Sequence, residues 1–204
     1  MVERVSEIAD EDKFHAKLLE IDVAAAWAVR RGRCSRPGCG GRLDVANYPR
    51  KVRGVGEGAA IAGRYDSRLS LCCSVRGCRR RATPPSVRFL GRFVYAMRVM
   101  VAWAALRGVA SRAAPAVAST SAASRQTTRR WEGYWGRLRQ DASVTLLVAA
   151  LVVSAGPVAP NVVVALMRSA HGTEAERAVT THRLLAPLTT ATVPPERARS
   201  AMVG

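Results

Sequence analysis

The sequence is poor in aromatic side chains, which make up only 5% of its 204 residues, whereas 49% of the residues are hydrophobic. A core with so few rings consists mostly of Ala, Val and Leu. Such small side chains favour closely packed helices over a large β-sandwich. The length allows one ordinary domain or two small ones. We therefore expect a mainly α-helical protein.

Acidic residues are also scarce, with 15 of them against 32 basic residues, so the formal net charge is +17. Nearly all the basic residues are Arg, whose forked guanidinium group suits phosphate and guanine. A GC-rich genome produces part of this composition without any functional cause. The charge nevertheless makes nucleic acid the leading partner.

The few acidic residues are concentrated at the N-terminus, where residues 1–22 carry a net charge of −4 and the other 182 residues carry +21. We expect a helix over 12–31 that packs on or near the basic body through Phe14, Leu18, Ile21 and Ala25; a fully solvated charged face is the alternative. The segment lacks the apolar run of a secretory signal. We therefore expect a cytoplasmic protein, associated with the nucleoid, whose cysteines stay reduced.

A long uninterrupted apolar run is missing as well. The stretch from Val144 to Met167 has no charge, but Gly156-Pro157 and Pro160-Asn161 interrupt it. A helix needs about 20 continuous apolar residues to cross a bilayer. We expect two short buried helices here and no membrane partner.

The five cysteines contain an internal repeat. Cys34-Ser-Arg-Pro-Gly-Cys39 and Cys73-Ser-Val-Arg-Gly-Cys78 are both Cys-Ser-x-x-Gly-Cys units, with four residues between the thiols. Tetrahedral zinc needs four soft ligands, and the glycine before the second thiolate lets the backbone curl around the metal. The repeat predicts a structural Zn²⁺ in a small β ribbon, with four ligands: Cys34, Cys39, Cys73 and Cys78.

Two features leave alternatives open. Each pair is spaced more widely than the usual two intervening residues, and 33 residues separate Cys39 from Cys73. Unliganded thiols are therefore the other interpretation. Cys72 is interpreted as a buried strand residue, although a shift of register by one residue would make it the ligand in place of Cys73.

Arginines follow the second cysteine pair directly. Three of them are expected at one edge of the ribbon, where a phosphate backbone would bind: Arg79, Arg80 and Arg81. Three basic residues of a long loop would extend that surface: Arg50, Lys51 and Arg53. Phosphate contacts fix the position of a protein on nucleic acid but do not read its sequence. A merely solvated run of charge is the alternative.

A second basic segment has a helical pattern, with Ser124 as the N-cap of a helix from 125 to 138. Four of its residues recur at helical spacing and should face the core: Thr128, Trp131, Trp135 and Leu138. The opposite side presents four residues near the N-terminal end: Arg125, Gln126, Arg129 and Arg130. A recognition helix presents base-reading side chains there, where Arg suits guanine and Gln suits adenine. A basic amphipathic helix without DNA contacts is the alternative.

Helices are also expected on both sides of this segment. Ser86 is predicted to cap a helix that runs to about Val109, with an apolar stripe of Leu90, Phe93, Met97, Val101 and Ala104 and with Arg88 off that stripe. A short helix starting at Pro115 would complete a helix-turn-helix-like arrangement, although its turn lacks the common glycine. Further helices are predicted near 142–154, 161–170 and 174–185.

The expected organisation is mainly α with a small β zinc ribbon. It consists of an acidic N-terminal helix (1–32), the zinc ribbon (33–85), a helix-turn-helix-like DNA-binding region (86–140), C-terminal helices (141–186) and a loose tail (187–204).

Several runs carry a resemblance to a known group: Tyr48-Pro-Arg-Lys, the segment from Arg68 through Cys72-Cys73 and Cys78-Arg-Arg-Arg to Thr83-Pro-Pro-Ser-Val-Arg-Phe-Leu-Gly91, Arg125 to Trp135, and Leu185-Ala-Pro-Leu-Thr-Thr190. They resemble bacterial zinc-ribbon proteins associated with mobile elements and, more distantly, the N-terminal DNA-binding part of insertion-sequence transposases. The resemblance implies binding to transposon ends or other DNA, with a transposase or recombinase as a further partner.

The sequence does not predict an enzyme. Transposases of the kind that this chain resembles add three spaced carboxylates on an RNase-H-like fold, and after Leu138 only Asp141, Glu174, Glu176 and Glu196 are present. The three histidines, at 15, 171 and 182, lack ligand-like spacing to a carboxylate and are expected to be structural or exposed. RNA is the alternative nucleic acid. A different class of function is a protein-interaction subunit, in which the helices of 142–186 form a homodimer or bind a recombinase.

Overall fold

The N-terminal helix has the buried face that its sequence predicts. In the computed structural model, which describes residues 11–55, 59–90, 93–108, 114–140 and 161–188, helix α1 spans Glu11–Arg31. Phe14, Leu18, Ile21 and Ala25 are all buried, so the predicted apolar face is confirmed. Acidic residues in the first turn and basic residues in the last turn complement the helix dipole.

Five short strands follow α1: β1 (Leu43–Val45), β2 (Tyr48–Pro49), β3 (Ser67–Arg68), β4 (Leu71–Cys73) and β5 (Arg81–Ala82). Strand β4 is the centre of an antiparallel sheet with the order β1-β4-β5, and β2 pairs with β3 in a second, two-stranded ladder. Leu43 lies opposite Cys73, and Leu71 lies opposite Ala82. The short helix α2 (Ala59–Gly63) lies between β2 and β3 in the chain.

From Met97 onward the described chain is mostly helical: α3 (Met97–Gly108), α4 (Ala114–Thr120), α5 (Arg125–Gln140), α6 (Val162–Ser169), α7 (Glu174–Leu185) and a 3-10 turn at Ala186–Leu188. Helix α3 is apolar on nearly all sides and packs against the four helices that follow it. The described chain is therefore mainly α-helical with a small antiparallel sheet, as the sequence predicts.

The predicted helix from Ser86 begins eleven residues later, at Met97. No helix starts at Ser86. Its hydroxyl accepts from the amides of Arg88 at 3.1 Å and Phe89 at 3.3 Å, as an N-cap would, but it also donates to the Asp22 carboxylate at 2.5 Å. Arg88, expected on an outer face, is buried. Tertiary contacts with α1 thus hold 86–90 in an irregular conformation, and the predicted stripe from Leu90 to Ala104 is not one helical face.

A small apolar cluster holds Val55, Tyr65, Phe89 and Ala96, and two larger clusters make up the rest of the described core. One joins the buried face of α1 to Leu43, Leu71, Val87 and two of the cysteines. The other gathers α3, two tryptophans of α5, part of α6 and Leu185. Helix α7 bridges them, because it packs on both α1 and α3.

The C-terminal helices agree with their predicted bounds to within a residue, and Asn161 caps α6 by accepting the Val164 amide at 3.0 Å. The helix predicted near 142–154, most of the uncharged stretch from Val144, and the predicted tail beyond Leu188 lie outside the described residues. Within the described part of the chain, no helix combines the length and the apolar character that a membrane crossing requires.

Candidate metal centre and basic surfaces

The fold brings the four cysteines of the repeat together. The ligand atoms of Cys34, Cys39, Cys73 and Cys78 all lie within 4.8 Å of one another. The Sγ atoms of Cys34 and Cys78 are 3.7 Å apart, and those of Cys39 and Cys73 are 3.5 Å apart. A tetrahedral zinc ion with Zn–S bonds of ~2.3 Å requires sulfurs ~3.8 Å apart. The four thiols therefore fit a metal ion of this kind.

The sequence repeat is also a repeat of backbone hydrogen bonds. The amide of Cys34 donates to the carbonyl of Gly41, and the amide of Cys73 donates to that of Arg80, both at 2.9 Å. In each loop the second cysteine donates its amide to a carbonyl three residues earlier, at 3.1 Å for Cys39 and 2.9 Å for Cys78. Equivalent bonds at equivalent positions show that the two loops have the same turn geometry.

Strand alternation separates Cys72 from the cluster. Consecutive side chains of a strand point to opposite faces, and in β4 the buried residues are Leu71 and Cys73. Cys72 is half-buried, and its thiol donates to the carbonyl of Arg79 at 3.2 Å. The predicted strand position of Cys72 is confirmed, but it is less buried than expected.

The local environment moves the pKa values of two thiols in opposite directions. The backbone amide of Arg80 donates to the sulfur of Cys78 and lowers the pKa of that thiol to about 6. Burial raises the pKa of the Cys73 thiol to about 12. Backbone N–H donors that favour a thiolate are typical of loops that hold a metal through cysteine.

Glycine 41 is a functional position that sequence reasoning missed. A Cβ atom on Gly41 would lie 2.6 Å from the sulfur of Cys73 and 2.7 Å from Cγ2 of Val75. The backbone therefore passes so close to the cluster that no side chain fits. The position of this glycine directly after Gly40 was a signal for a close approach of the backbone. Only the pairing of β1 with β4 shows that it approaches the sulfur of Cys73.

A buried ion pair fixes the cysteine module, by which we mean residues 33–90, to α1. Sequence reasoning missed this pair too. The carboxylate of Asp22 accepts from Nε of Arg88 at 2.8 Å and from the amide of Val87 at 2.8 Å. The guanidinium of Arg88 also donates to the carbonyls of Arg64 and Ser67. Every charged atom of this pair thus has partners, which a buried charge requires.

The three arginines after the second cysteine pair differ in their surroundings. Arg79 and Arg80 are exposed. Arg81 lies on the sheet, where its guanidinium donates to the carbonyl of Ala46 at 2.7 Å and stands 5.3 Å from the ring of Tyr48. Arg79 and Arg80 can therefore reach a phosphate freely, whereas Arg81 is engaged within the protein.

Helix α5 has the two faces that its sequence predicts. Trp131 and Trp135 are buried, Thr128 and Leu138 are partly buried, and Ser124 caps the helix by accepting the Thr127 amide at 3.2 Å. Four side chains of the first two turns are exposed: Arg125, Gln126, Arg129 and Arg130.

The turn between α4 and α5 has a left-handed residue in place of a glycine. Ala122 has a φ of 53°, and its carbonyl accepts from the hydroxyl of Tyr95 at 3.2 Å. Helix α3 packs against both α4 and α5. The tight turn that joins α4 to α5 thus lacks the glycine that is common in helix-turn-helix motifs.

Two of the three histidines are buried and structural. Nδ1 of His15 lies 2.7 Å from the hydroxyl of Tyr65, and burial lowers the pKa of His15 to about 4. Nδ1 of His182 donates to the carbonyl of Ala178 at 2.7 Å, and burial lowers its pKa to about 4 as well. His171 is exposed.

Comparisons of the chain with protein-family models, with curated proteins and with solved structures found no match.

Proposed function

We propose that the four-cysteine cluster holds a structural Zn²⁺ and that residues 33–85 form a small zinc ribbon. The observation that carries this is the spacing of the sulfurs, 3.5 and 3.7 Å within two of the pairs. Zinc is the metal that four thiolates in a tetrahedron bind most commonly in structural sites. Four protein ligands leave no open position for water, so the ion stabilises the ribbon and performs no chemistry.

Metal analysis of the purified chain tests this proposal. We expect one zinc per chain, released by a chelator together with loss of ordered structure in residues 33–85. Cadmium substitution should give the ultraviolet charge-transfer absorption of a four-thiolate site. A chain that is folded, reduced and free of metal would contradict the proposal.

We further propose that the protein binds duplex DNA and is not an enzyme. The observation that carries this is the division of α5 into a buried tryptophan face and an exposed Arg and Gln face. The first two turns of the helix would enter the major groove, where Arg pairs with guanine and Gln pairs with adenine. Arg79 and Arg80 would contact phosphate, which adds affinity without sequence preference.

The resemblance to zinc-ribbon proteins of mobile elements suggests the biological setting. The protein would act as an accessory or regulatory factor in transposition, with a transposase or recombinase as its protein partner. A homodimer would place two copies of α5 on two half-sites one helical turn apart.

One observation favours RNA as the second candidate ligand. Trp27 on α1 is 51% exposed, and the guanidinium of Arg30 lies 4.7 Å from its ring centroid. An exposed ring beside arginines is a stacking platform for unpaired bases, which are the main target of sequence-specific RNA recognition. Trp27→Ala would weaken binding if RNA is the ligand and would leave duplex binding unchanged.

Selection from a random duplex library, at physiological salt with competitor DNA, separates these candidates. We expect a recovered motif, and we expect Arg125→Ala and Arg129→Ala each to reduce discrimination by ~1–3 kcal/mol. Arg80→Ala should instead weaken all duplexes about equally. Failure to recover a motif, together with tighter binding of single-stranded RNA, would replace DNA by RNA as the ligand.

A further inference from the structure

The basic loop at 50–54 is bonded to the segment 93–96, and that segment packs against α5. The amide of Arg53 donates to the carbonyl of Val94 at 2.8 Å, and the amide of Ala96 donates to the carbonyl of Arg53 at 3.1 Å. The guanidinium of Arg50 donates to the carbonyl of Phe93 at 2.7 Å. These bonds fix the loop along the segment 93–96.

The same segment lies against the first turns of α5. The rings of Tyr95 and Trp131 are 5.0 Å apart, and a groove of about 290 Å³ lies between 93–95 and the helix, where Thr127 and Arg130 line it. The loop also approaches the turn that precedes α5. A Cβ atom on Gly54 would lie 3.2 Å from Cβ of Ser121.

The groove has an apolar floor and one basic lining residue, Arg130, and further exposed basic side chains lie on the neighbouring loop and on α5. Phe93, Val94 and Tyr95 form the floor, and Val94 is 47% exposed. Lys51 and Arg53 are exposed on the loop, and Arg129 and Arg130 are exposed on α5. None of the five described residues that line the groove is acidic. Arg50 takes no part, because its guanidinium is bound to the protein backbone.

This chemistry matches a sugar-phosphate backbone, in which anionic phosphates alternate with the apolar faces of sugars. Arg130 in the groove and the exposed basic side chains of the neighbouring loop would neutralise phosphates, and the apolar floor would contact the sugar between them. Fixing a strand in this position would orient α5 on the duplex, since phosphate contacts determine register and orientation.

We propose that the loop 50–54 and α5 form one nucleic-acid interface and that the groove between 93–95 and α5 binds the backbone of the strand next to the bases that α5 reads. This inference rests on the proposed DNA binding and deepens it. It assigns to Lys51 and Arg53 the role of phosphate contacts that position the reading helix.

The test measures the affinity of the zinc-loaded chain for a duplex over a range of salt concentrations. In Lys51→Ala/Arg53→Ala, the slope of log K against log salt should decrease by about 2, because each phosphate contact contributes ~0.9. The control Lys13→Ala/Lys17→Ala removes the same charge from α1, and its slope should remain close to that of the wild type. Zinc content and thermal unfolding verify that both variants are folded.

A second pair of variants tests the floor of the groove. Val94→Glu places a carboxylate beside the expected phosphate and should lower affinity more than tenfold, whereas Val94→Thr should retain it. If the wild type binds duplex DNA but Lys51→Ala/Arg53→Ala has the same salt slope as the control Lys13→Ala/Lys17→Ala, the inference is wrong and the proposed DNA binding stands. If the wild type binds no duplex, both are wrong.

Discussion

The molecule has two regions that are stabilised in different ways. The first is the cysteine module together with α1, and the second is the helical region from α3 onward. In the first, buried polar groups have directional partners: Asp22 with Ser86, Val87 and Arg88, and Ser70 with Thr83. In the second, three polar atoms of α5 are buried without a partner in the described chain: Nε1 of Trp131, the hydroxyl of Tyr134 and Nε1 of Trp135.

The difference teaches which changes each region tolerates. Where buried polar groups are paired, removal of one partner costs ~1–3 kcal/mol, and more for a charged group, because the group left behind is buried and unpaired. A region held by apolar area loses stability in proportion to the volume removed. The predictions that distinguish the two regions therefore begin with substitution of the clustered cysteines.

The largest expected effect is that of Cys34→Ser. It should abolish zinc binding and unfold the ribbon, because a structural zinc site contributes on the order of 10 kcal/mol to folding. Helices α3–α7 should keep their signal in far-ultraviolet circular dichroism. Metal analysis and limited proteolysis of residues 33–85 measure the two effects.

Cys72→Ser is the matched control, because the thiol of Cys72 donates only to backbone carbonyls. It should retain the metal. Equal loss of zinc in both variants would mean that the assignment of Cys73 over Cys72 is wrong.

The second prediction concerns the buried ion pair. Asp22→Asn leaves the Arg88 guanidinium buried without its counter-charge and should reduce the free energy of unfolding by ~3–5 kcal/mol. Chemical denaturation measures this loss. The double variant Asp22→Leu/Arg88→Leu removes both charges and should be more stable than Asp22→Asn. A single variant as stable as the wild type would show that the pair contributes little.

Much of this architecture is readable in the sequence, where the signal is local. The spacing of Phe14, Leu18 and Ile21 predicts the buried face of α1, and that of Trp131 and Trp135 predicts the buried face of α5. The cysteine repeat predicts which four thiols come together. All of these patterns lie within one helix or one turn of the chain.

What the sequence does not reveal depends on contacts between distant residues. Asp22 and Arg88 are 66 residues apart, and both belong to types that are usually exposed. Ser86 before an apolar run has the local pattern of a helix N-cap. Its hydroxyl accepts the amides of Arg88 and Phe89 but also donates to Asp22, and α3 begins only at Met97. The position of the 50–54 loop beside α5 likewise follows from pairing with 94–96.

The third prediction uses pH, since each region contains one buried histidine. Burial lowers the pKa values of His15 and His182 from the ordinary value of 6.5 to about 4. Between these values the unfolded chain binds protons that the folded chain does not. The contribution of each histidine to the free energy of unfolding is therefore fully present above pH 6.5. It decreases by ~1.4 kcal/mol per pH unit as the pH is lowered towards 4.

Tryptophan fluorescence of the unfolding transition measures this slope, and a dye assay for released zinc separates it from acid release of the metal. His15→Gln/His182→Gln should flatten the slope. His15→Gln alone should also lower stability at neutral pH, because it removes the partner of the Tyr65 hydroxyl. Among the described residues Nε2 of His182 has no partner, so substitution of His182 should lower stability at neutral pH less. Equal slopes in the wild type and the double variant would contradict the prediction.

The smallest expected effect compares the two cysteine loops with each other. The residue after the second cysteine is left-handed in both loops, with a φ of 56° at Gly40 and 46° at Arg79. Glycine adopts this conformation freely, whereas other residues do so at a cost of ~1 kcal/mol. Gly40→Ala should therefore destabilise the zinc-loaded chain by about that amount. No atom of the part of the chain that the structure describes lies within 4 Å of the added Cβ, so the expected effect is conformational.

Arg79→Gly is the reciprocal change and should stabilise the chain by less than ~1 kcal/mol, because the greater freedom of glycine in the unfolded state offsets part of the gain. Denaturation midpoints at saturating zinc measure both variants. The same substitution removes an exposed charge beside the metal loop, so it should weaken duplex binding while it strengthens the fold. A loss of stability in Arg79→Gly would mean that the arginine side chain stabilises its loop by more than the left-handed conformation costs, and the two loops would then differ in energy although they share their hydrogen bonds.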